Sequence, residues 1–357
     1  MINKKIIFIV LIMFMLTGCS MNEIEEYAIV SGIGIDYNDN KFIVTYEIYK
    51  ENNGQTTSLT SITKSGEGKT LSSAVSSINN KMYQTPYLNH CLLIILDENV
   101  INSKLDEVFN YLMHDVRIRS SCFIVSTQST TSKELLEQSQ NINQVISYNI
   151  YKKLDQSPSQ VSIWNNSHFD FIMNEKIDKN GVAIIPIVSY KEDLSITNVY
   201  IIDNENKVFY GSKQDIFIFQ LFNNSVDEGL IKLDDKYIHL KSLKSNMNIN
   251  NETLNLKVYL QLLSYDDLNI DLNNKEEKKQ LIDKLEISLE NMTQETFKKY
   301  QENKVDAFYI YKNIERYNQL LYQEIEQNYI EFYQTIKLNL SIKIDLLTSG
   351  LSEERIE

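Results

Sequence analysis

The chain opens on an unbroken apolar run from Ile6 to Leu16, preceded by Lys4 and Lys5. Its 11 residues suit the core of a secretory signal and fall short of the roughly 20 that a spanning helix needs. No later stretch approaches that length without a polar residue. Beyond a short acidic segment the pattern turns to alternation. Ala28 to Asp36 reads as a strand, with Ile29, Ile33 and Ile35 on one parity. Tyr37-Asn38-Asp39-Asn40 is turn chemistry, and Phe42 to Ile48 is a second strand, so a hairpin is expected. Glu51 to Gly54 closes it, and a Thr/Ser-rich third strand follows near Thr56 to Thr63.

Helical spacing then appears at Leu71, Ala74, Val75, Ile78 and Met82, with Thr70 as the candidate N-cap. Cys91 to Leu96 is a short, fully apolar strand. Asp97 or Asn99 is placed to cap one helix with the face Ile101, Leu105, Val108, Phe109 and Leu112. Ser121 to Ser126 is a further strand. Helices follow near Ser132 to Ser139, Ile142 to Leu154 and Phe169 to Asn174. Strands alternating with amphipathic helices predict a sheet covered by helices. Val182 to Ser189 and Ser195 to Asp203 read as strands, and Gly211 precedes a helix near Gln214 to Phe222.

The second half leads with strands near Gly229 to Leu233, Tyr237 to Asn248 and Thr253 to Leu263. One long helix is expected over 275–300, with Ile282, Leu285, Leu289, Met292 and Tyr300 as its stripe. A second helix carries Leu320, Leu321, Ile325 and Ile330. Ile336, Leu338, Leu340, Ile342 and Ile344 share one parity of a terminal strand. The predicted class is α+β and multi-domain, with mixed or antiparallel sheets and packed helices. Residues 27–205 form an N-terminal α+β region, which divides into two units on one reading. Residues 206–357 form a C-terminal α+β domain.

Composition narrows the function more by exclusion than by assignment. The 357 residues carry a net charge of −13, which disfavours nucleic acid as a partner. Three Cys and four His are too few for a disulfide scaffold or a His-rich metal protein. Leu16-Thr17-Gly18-Cys19, directly after the apolar run, resembles a bacterial lipobox. That resemblance implies a signal peptide over residues 1–18, a lipid on the Cys19 sulfur and a tether over 19–26. Loss of Lys4 and Lys5 with the signal would take the net charge to −15. A lipoprotein cysteine carries at least two acyl chains, enough for firm attachment.

Candidate catalytic and binding motifs fail on spacing. Gly66-Glu67-Gly68-Lys69-Thr70 looks like a phosphate loop, but the position of its first glycine is Thr63. It reads instead as a glycine turn feeding a helix. Gly32-Ile33-Gly34 begins like a dinucleotide fingerprint, but Tyr37 stands at the third glycine and a strand follows. A bend or bulge fits Gly32 and Gly34 better. His90, His114, His168 and His239 lack metal-ligand spacing. Cys91 and Cys122 read as buried free thiols, a disulfide being the alternative in an exported protein. No Gly-x-Ser-x-Gly is present. The expectation is no catalytic residue, no cofactor and no metal. The aromatic stretch Phe308, Tyr309, Tyr311, Tyr317, Tyr322, Tyr329, Phe332 and Tyr333 is a core of the terminal domain or a partner surface.

Several segments together resemble the Ger(x)C family, the lipoprotein C subunits of spore germinant receptors. These are Glu23 to Asp36 after the lipobox, Gly66 to Thr70 with its helix, and Tyr87-Leu88-Asn89-His90 with the strand to Leu96. Asp115-Val116-Arg117-Ile118-Arg119 and Lys304-Val305-Asp306-Ala307-Phe308 complete the series. The resemblance implies a non-catalytic subunit lipid-anchored to the outer face of the spore inner membrane. It also implies partnership with the integral membrane A and B subunits in nutrient-triggered germination. The alternative is a lipoprotein solute-binding subunit of a transporter, which predicts a ligand cleft between two lobes.

Overall fold

The first hairpin forms where the alternation is cleanest. In the computed structural model, strands β1 (Tyr27–Asn38) and β2 (Lys41–Lys50) pair antiparallel. Asp39 and Asn40 between them have φ of 48° and 58°. Two-residue hairpin loops need such angles, and Asp and Asn tolerate them. The structure describes residues 26–50, 59–155, 167–190, 193–224, 228–233, 236–250, 252–265 and 274–346.

β3 (Thr60–Gly68) joins β2 antiparallel, and the short β4 (Thr85–Tyr87) lies parallel to the start of β1. β5 (Leu93–Leu96), β6 (Phe123–Thr127) and β7 (Val182–Tyr190) extend the sheet from β1 in parallel. β8 (Leu194–Asp203) and β9 (Val208–Gly211) return antiparallel, so the first sheet runs to Gly211 in the order β3-β2-β1-β5-β6-β7-β8-β9. Its centre is buried on both faces, as parallel strands require. Leu93 and Ile95 enter one apolar cluster, and their neighbours Ile94 and Leu96 enter another.

Helices supply those two clusters. α1 (Leu71–Asn79), α2 (Glu98–Ser103), α3 (Leu105–His114) and α6 (Phe169–Ile177) cover one face, while α4 (Ser132–Ile142) and α5 (Ile146–Asp155) cover the other. α7 (Lys213–Asn223) is buried from Asp215 through Phe222 because it lies between two sheets. It touches β8 and β9 on one side. On the other it meets β10 (Glu228–Leu233) and β11 (Lys236–Asn250). A helix apolar all round is a buried helix. The second sheet continues with β12 (Thr253–Tyr265). It ends on β13 (Lys337–Leu346), parallel to β12. The long α8 (Lys275–Glu302) packs on it through Leu281, Leu285, Leu289, Met292 and Phe297. α9 (Ile310–Tyr317), α10 (Gln319–Ile325) and α11 (Tyr329–Thr335) fill the connection. The α+β class with mixed sheets is therefore observed.

Several local expectations need correction. Gly66 to Gly68 is strand, not turn: β3 runs through both glycines, and α1 starts after Thr70 without a separate loop. The face from Ile101 to Leu112 belongs to two helices, because Lys104 leaves helical geometry at φ −135°. Cys91 precedes β5 rather than lying in it. The helix carrying Leu320 to Ile330 is two helices, with α9 before them. The sequence also reads as a loop over Asp155 to Ser162, with Pro158 and several Ser and Gln; beyond Asp155 that stretch lies outside the described residues, as do residues 1–25 with Cys19.

Candidate functional site

Two carboxylates of the hairpin are buried, and each holds the start of a helix. Asp36 accepts the backbone N–H groups of Ser132 and Lys133 at 2.6 and 3.1 Å, the first two residues of α4. Glu47 accepts those of Ile146 and Ser147, both at 2.8 Å, at the start of α5. Ser61 adds its hydroxyl to Glu47 at 2.8 Å. The first N–H groups of a helix lack internal partners and carry its positive end, so a carboxylate there satisfies both. Burial nevertheless raises both acids above the ordinary carboxylate range, and the donors only partly offset it.

The glycines of β1 let those helices come so close. A Cβ at Gly32 would lie 2.5 Å from the Ser147 Cβ, and one at Gly34 would lie 2.5 Å from the Ser132 Oγ. The register with β2 also shifts between Val30 and Gly32. Gly66 and Gly68 pack under α1, where an added Cβ would meet the Ala74 carbonyl at 2.5 Å and the Ala74 amide at 2.6 Å. Thr70 caps α1 in a capping box with Ser73.

The histidines are dispersed. His90 ends a 3₁₀ turn with its ring 5.3 Å from Tyr87. His114 Nδ1 donates to the Asn110 carbonyl at 2.7 Å. His168 stacks on Phe123, and His239 lies 3.5 Å from Glu228. Among the described residues no three His, Cys, Asp or Glu side chains are grouped to hold a metal ion. Cys91 and Cys122 are free and buried. Burial pushes the Cys91 thiol up to about 12 and the Cys122 thiol well above its usual value, which makes both inert at neutral pH.

In the segment from Asp115 to Arg119, Arg117 chelates Asp115 through Nε and Nη2 at 2.8 and 2.6 Å. That hydrogen bonding holds the Asp115 carboxyl below the ordinary range. Near the C-terminus, Asp306 repeats the hairpin device. It accepts the Ile310 and Tyr311 amides at 3.0 and 2.8 Å and the Tyr329 hydroxyl at 2.6 Å. Around it the aromatic stretch is mostly interior: Phe308, Tyr309, Tyr311, Tyr329 and Tyr333 are buried, while Tyr317 is 73% exposed. Phe308 alone makes ring contacts with Phe219, Phe222, Phe297 and Tyr300.

Sequence reasoning did not single out Asp36 and Glu47 for this task. The available signal was a charged residue at an inward position of a strand whose neighbours are apolar. Each of these acids is occupied by backbone donors, so the arrangement fixes helices in place. Among the described residues no helix is long and apolar enough to cross a membrane.

The fold is similar to the crystal structure of the GerBC protein, with a TM-score of 0.54 at 16% identity over 89% of this chain and 97% of that one. No curated protein matches the sequence significantly. A family described as the spore germination protein N-terminal domain matches residues 20–190. A second, described as spore germination B3/GerAC like, C-terminal, matches residues 197–350. With both family domains present in order, the chain belongs to the Ger(x)C family of spore germination proteins.

Proposed function

We propose that this chain is the lipid-anchored C subunit of a spore germinant receptor. In this reading it serves nutrient-triggered germination beside integral membrane A and B subunits, with no catalysis of its own. The observation that carries the reading is the junction at Cys19. The match to the N-terminal family domain begins at residue 20, directly after the lipobox cysteine. Residues 1–18 are then the signal peptide and 19–26 the tether, followed by the N-terminal region to residue 205 and the C-terminal domain from 206. A fully extended tether of that size reaches at most about 28 Å, so the body stays beside the bilayer surface. Confinement of this kind raises the effective concentration of membrane partners without any new contact.

Cys19→Ala tests the anchor. The wild-type chain should incorporate palmitate, fractionate with the spore inner membrane and support germination on nutrient. The variant should lose the label, leave the membrane fraction and germinate poorly. Unchanged membrane retention together with unchanged germination would overturn the proposal.

A further inference from the structure

Four segments converge at the N-terminal ends of β5 and β6. His90 to Leu92 lead into β5, and Arg119 to Phe123 lead into β6. Tyr151 and Asp155 come from the last turns of α5, and His168 precedes α6. Together they line an open cavity of about 210 Å³. His90 and Arg119 stand 29 positions apart in sequence, and both line this cavity.

The floor of the cavity is aromatic. Phe123 is buried, with the His168 ring stacked on it at 4.0 Å and Tyr151 edge-on at 5.9 Å. His168 is fixed twice, by a backbone bridge to Phe123 and by Nδ1 donating to the Ser121 carbonyl at 3.0 Å. That bond leaves Nε2 free to accept when the ring is neutral.

The rim is dominated by one guanidinium. Arg119 is exposed and forms no ion pair or side-chain hydrogen bond with another described residue. Arg117, two residues earlier, is by contrast fully engaged with Asp115. Asp155 is the one carboxylate among the described lining residues, and it sits against the Tyr151 hydroxyl, whose ionisation is opposed first by burial and then by that charge. In a chain of net charge −13, an Arg with no ion-pair partner among the described residues, beside an aromatic floor, is a distinctive combination. Guanidinium matches a carboxylate with two parallel hydrogen bonds, and the ring faces accept a flat apolar group. The volume lies below the roughly 300–1,000 Å³ of drug-sized sites, so the occupant is small.

We propose that this cavity binds a small organic carboxylate, with its anionic end on Arg119 and its apolar end on the Phe123, His168 and Tyr151 rings. The inference is independent of the lipid anchor. Benzoate is the probe, added to the full chain in detergent and observed by saturation-transfer NMR with a titration for affinity. Benzoate should bind saturably, and benzyl alcohol, which lacks the charge, should bind at least about tenfold more weakly. Arg119→Gln, at an exposed position, should weaken benzoate binding by at least about tenfold, while Arg117→Gln leaves it unchanged. His168→Ala should weaken benzoate and benzyl alcohol alike by removing the stacked ring. Absence of saturable benzoate binding, equal binding of the alcohol, or binding indifferent to Arg119 would each overturn the proposal.

Discussion

The Asp36 carboxylate and the Ser132 amide meet at 2.6 Å although 96 positions separate them in the chain. The contact ties the first hairpin to a helix that cannot be placed by local sequence. Replacing Asp36 by Ala would leave the Ser132 and Lys133 donors buried without their acceptor. The combined loss of a helix cap and of satisfied donors should cost about 2–3 kcal/mol. Asp36→Asn keeps one acceptor oxygen and should cost less. Urea unfolding followed by circular dichroism measures both. A midpoint unchanged in the Ala variant would show that water replaces the carboxylate at no cost.

Asp97 makes the stability of this region depend on pH. It caps α2 by accepting the Val100 amide at 2.8 Å and also lies 3.4 Å from the Tyr37 amide. Burial, opposed by those donors and reinforced by Asp36, pushes its carboxyl up to about 6. A folded-state value above the unfolded one means that the folded chain holds the proton more tightly. The resulting stabilisation is complete below about pH 4 and is lost as pH rises through 6. Asp97→Asn keeps an oxygen for the cap and removes the titration. The melting temperature of the variant relative to wild type should therefore rise between pH 4 and pH 6.5 and then level off. Parallel melting curves across that window would assign the pH dependence to other groups.

What the sequence made legible follows from burial. The run Leu93-Ile94-Ile95-Leu96 has no polar face, which is the mark of a strand covered on both sides, and its residues divide between two cores. The stripe of α8 and the parity of β13 were equally plain, because each faces a single core. Legibility fails where one buried polar group organises its surroundings. Nothing local marks Lys104 as the break between α2 and α3. Around Asp306 the chain makes three helices of only eight, seven and seven residues, each too short to stand out as a periodic segment. Tyr309 stands at φ 56°, unusual for a residue with a bulky side chain, at the turn that aims the Ile310 and Tyr311 amides at the carboxylate. The cavity beside Arg119 is illegible for another reason. Its walls come from four separate stretches that only the parallel crossovers bring together.

Glu175 and Lys312 connect α6, on the first sheet, to α9 in the C-terminal half. Glu175 is 1% exposed, and Lys312 also passes over the Phe171 ring at 5.8 Å. Lys312→Met should strand a buried charge and cost about 3 kcal/mol, the lower end for such pairs because Lys312 is 31% exposed. Adding Glu175→Gln should restore most of the loss, since the stranded charge is then gone. A double-mutant cycle by denaturant unfolding reads the coupling directly. Additive single-site costs would mean that the pair contributes nothing jointly.

Gly34 supplies the sharpest steric test of how α4 is seated. A methyl group there would lie 2.5 Å from the Ser132 Oγ, with the Ser132 Cβ and the Leu136 Cδ1 next at 3.1 Å. The first distance cannot be tolerated, whereas the other two ask for shifts of a few tenths of an ångström. Gly34→Ala should thus push α4 off β1 and cost about 1–3 kcal/mol, the usual range for overpacking. Because Asp36 holds the same helix start, the displacement should also stretch its bonds to the Ser132 and Lys133 amides. Ser132→Ala in the Gly34→Ala background removes the offending oxygen but keeps the backbone donor that Asp36 uses. The double variant should accordingly recover a large part of the loss, and hydrogen exchange at the Ser132 and Lys133 amides should return toward wild type with it. If the second substitution leaves stability where the first put it, the clash lies with Leu136 and the helix is seated by its apolar face.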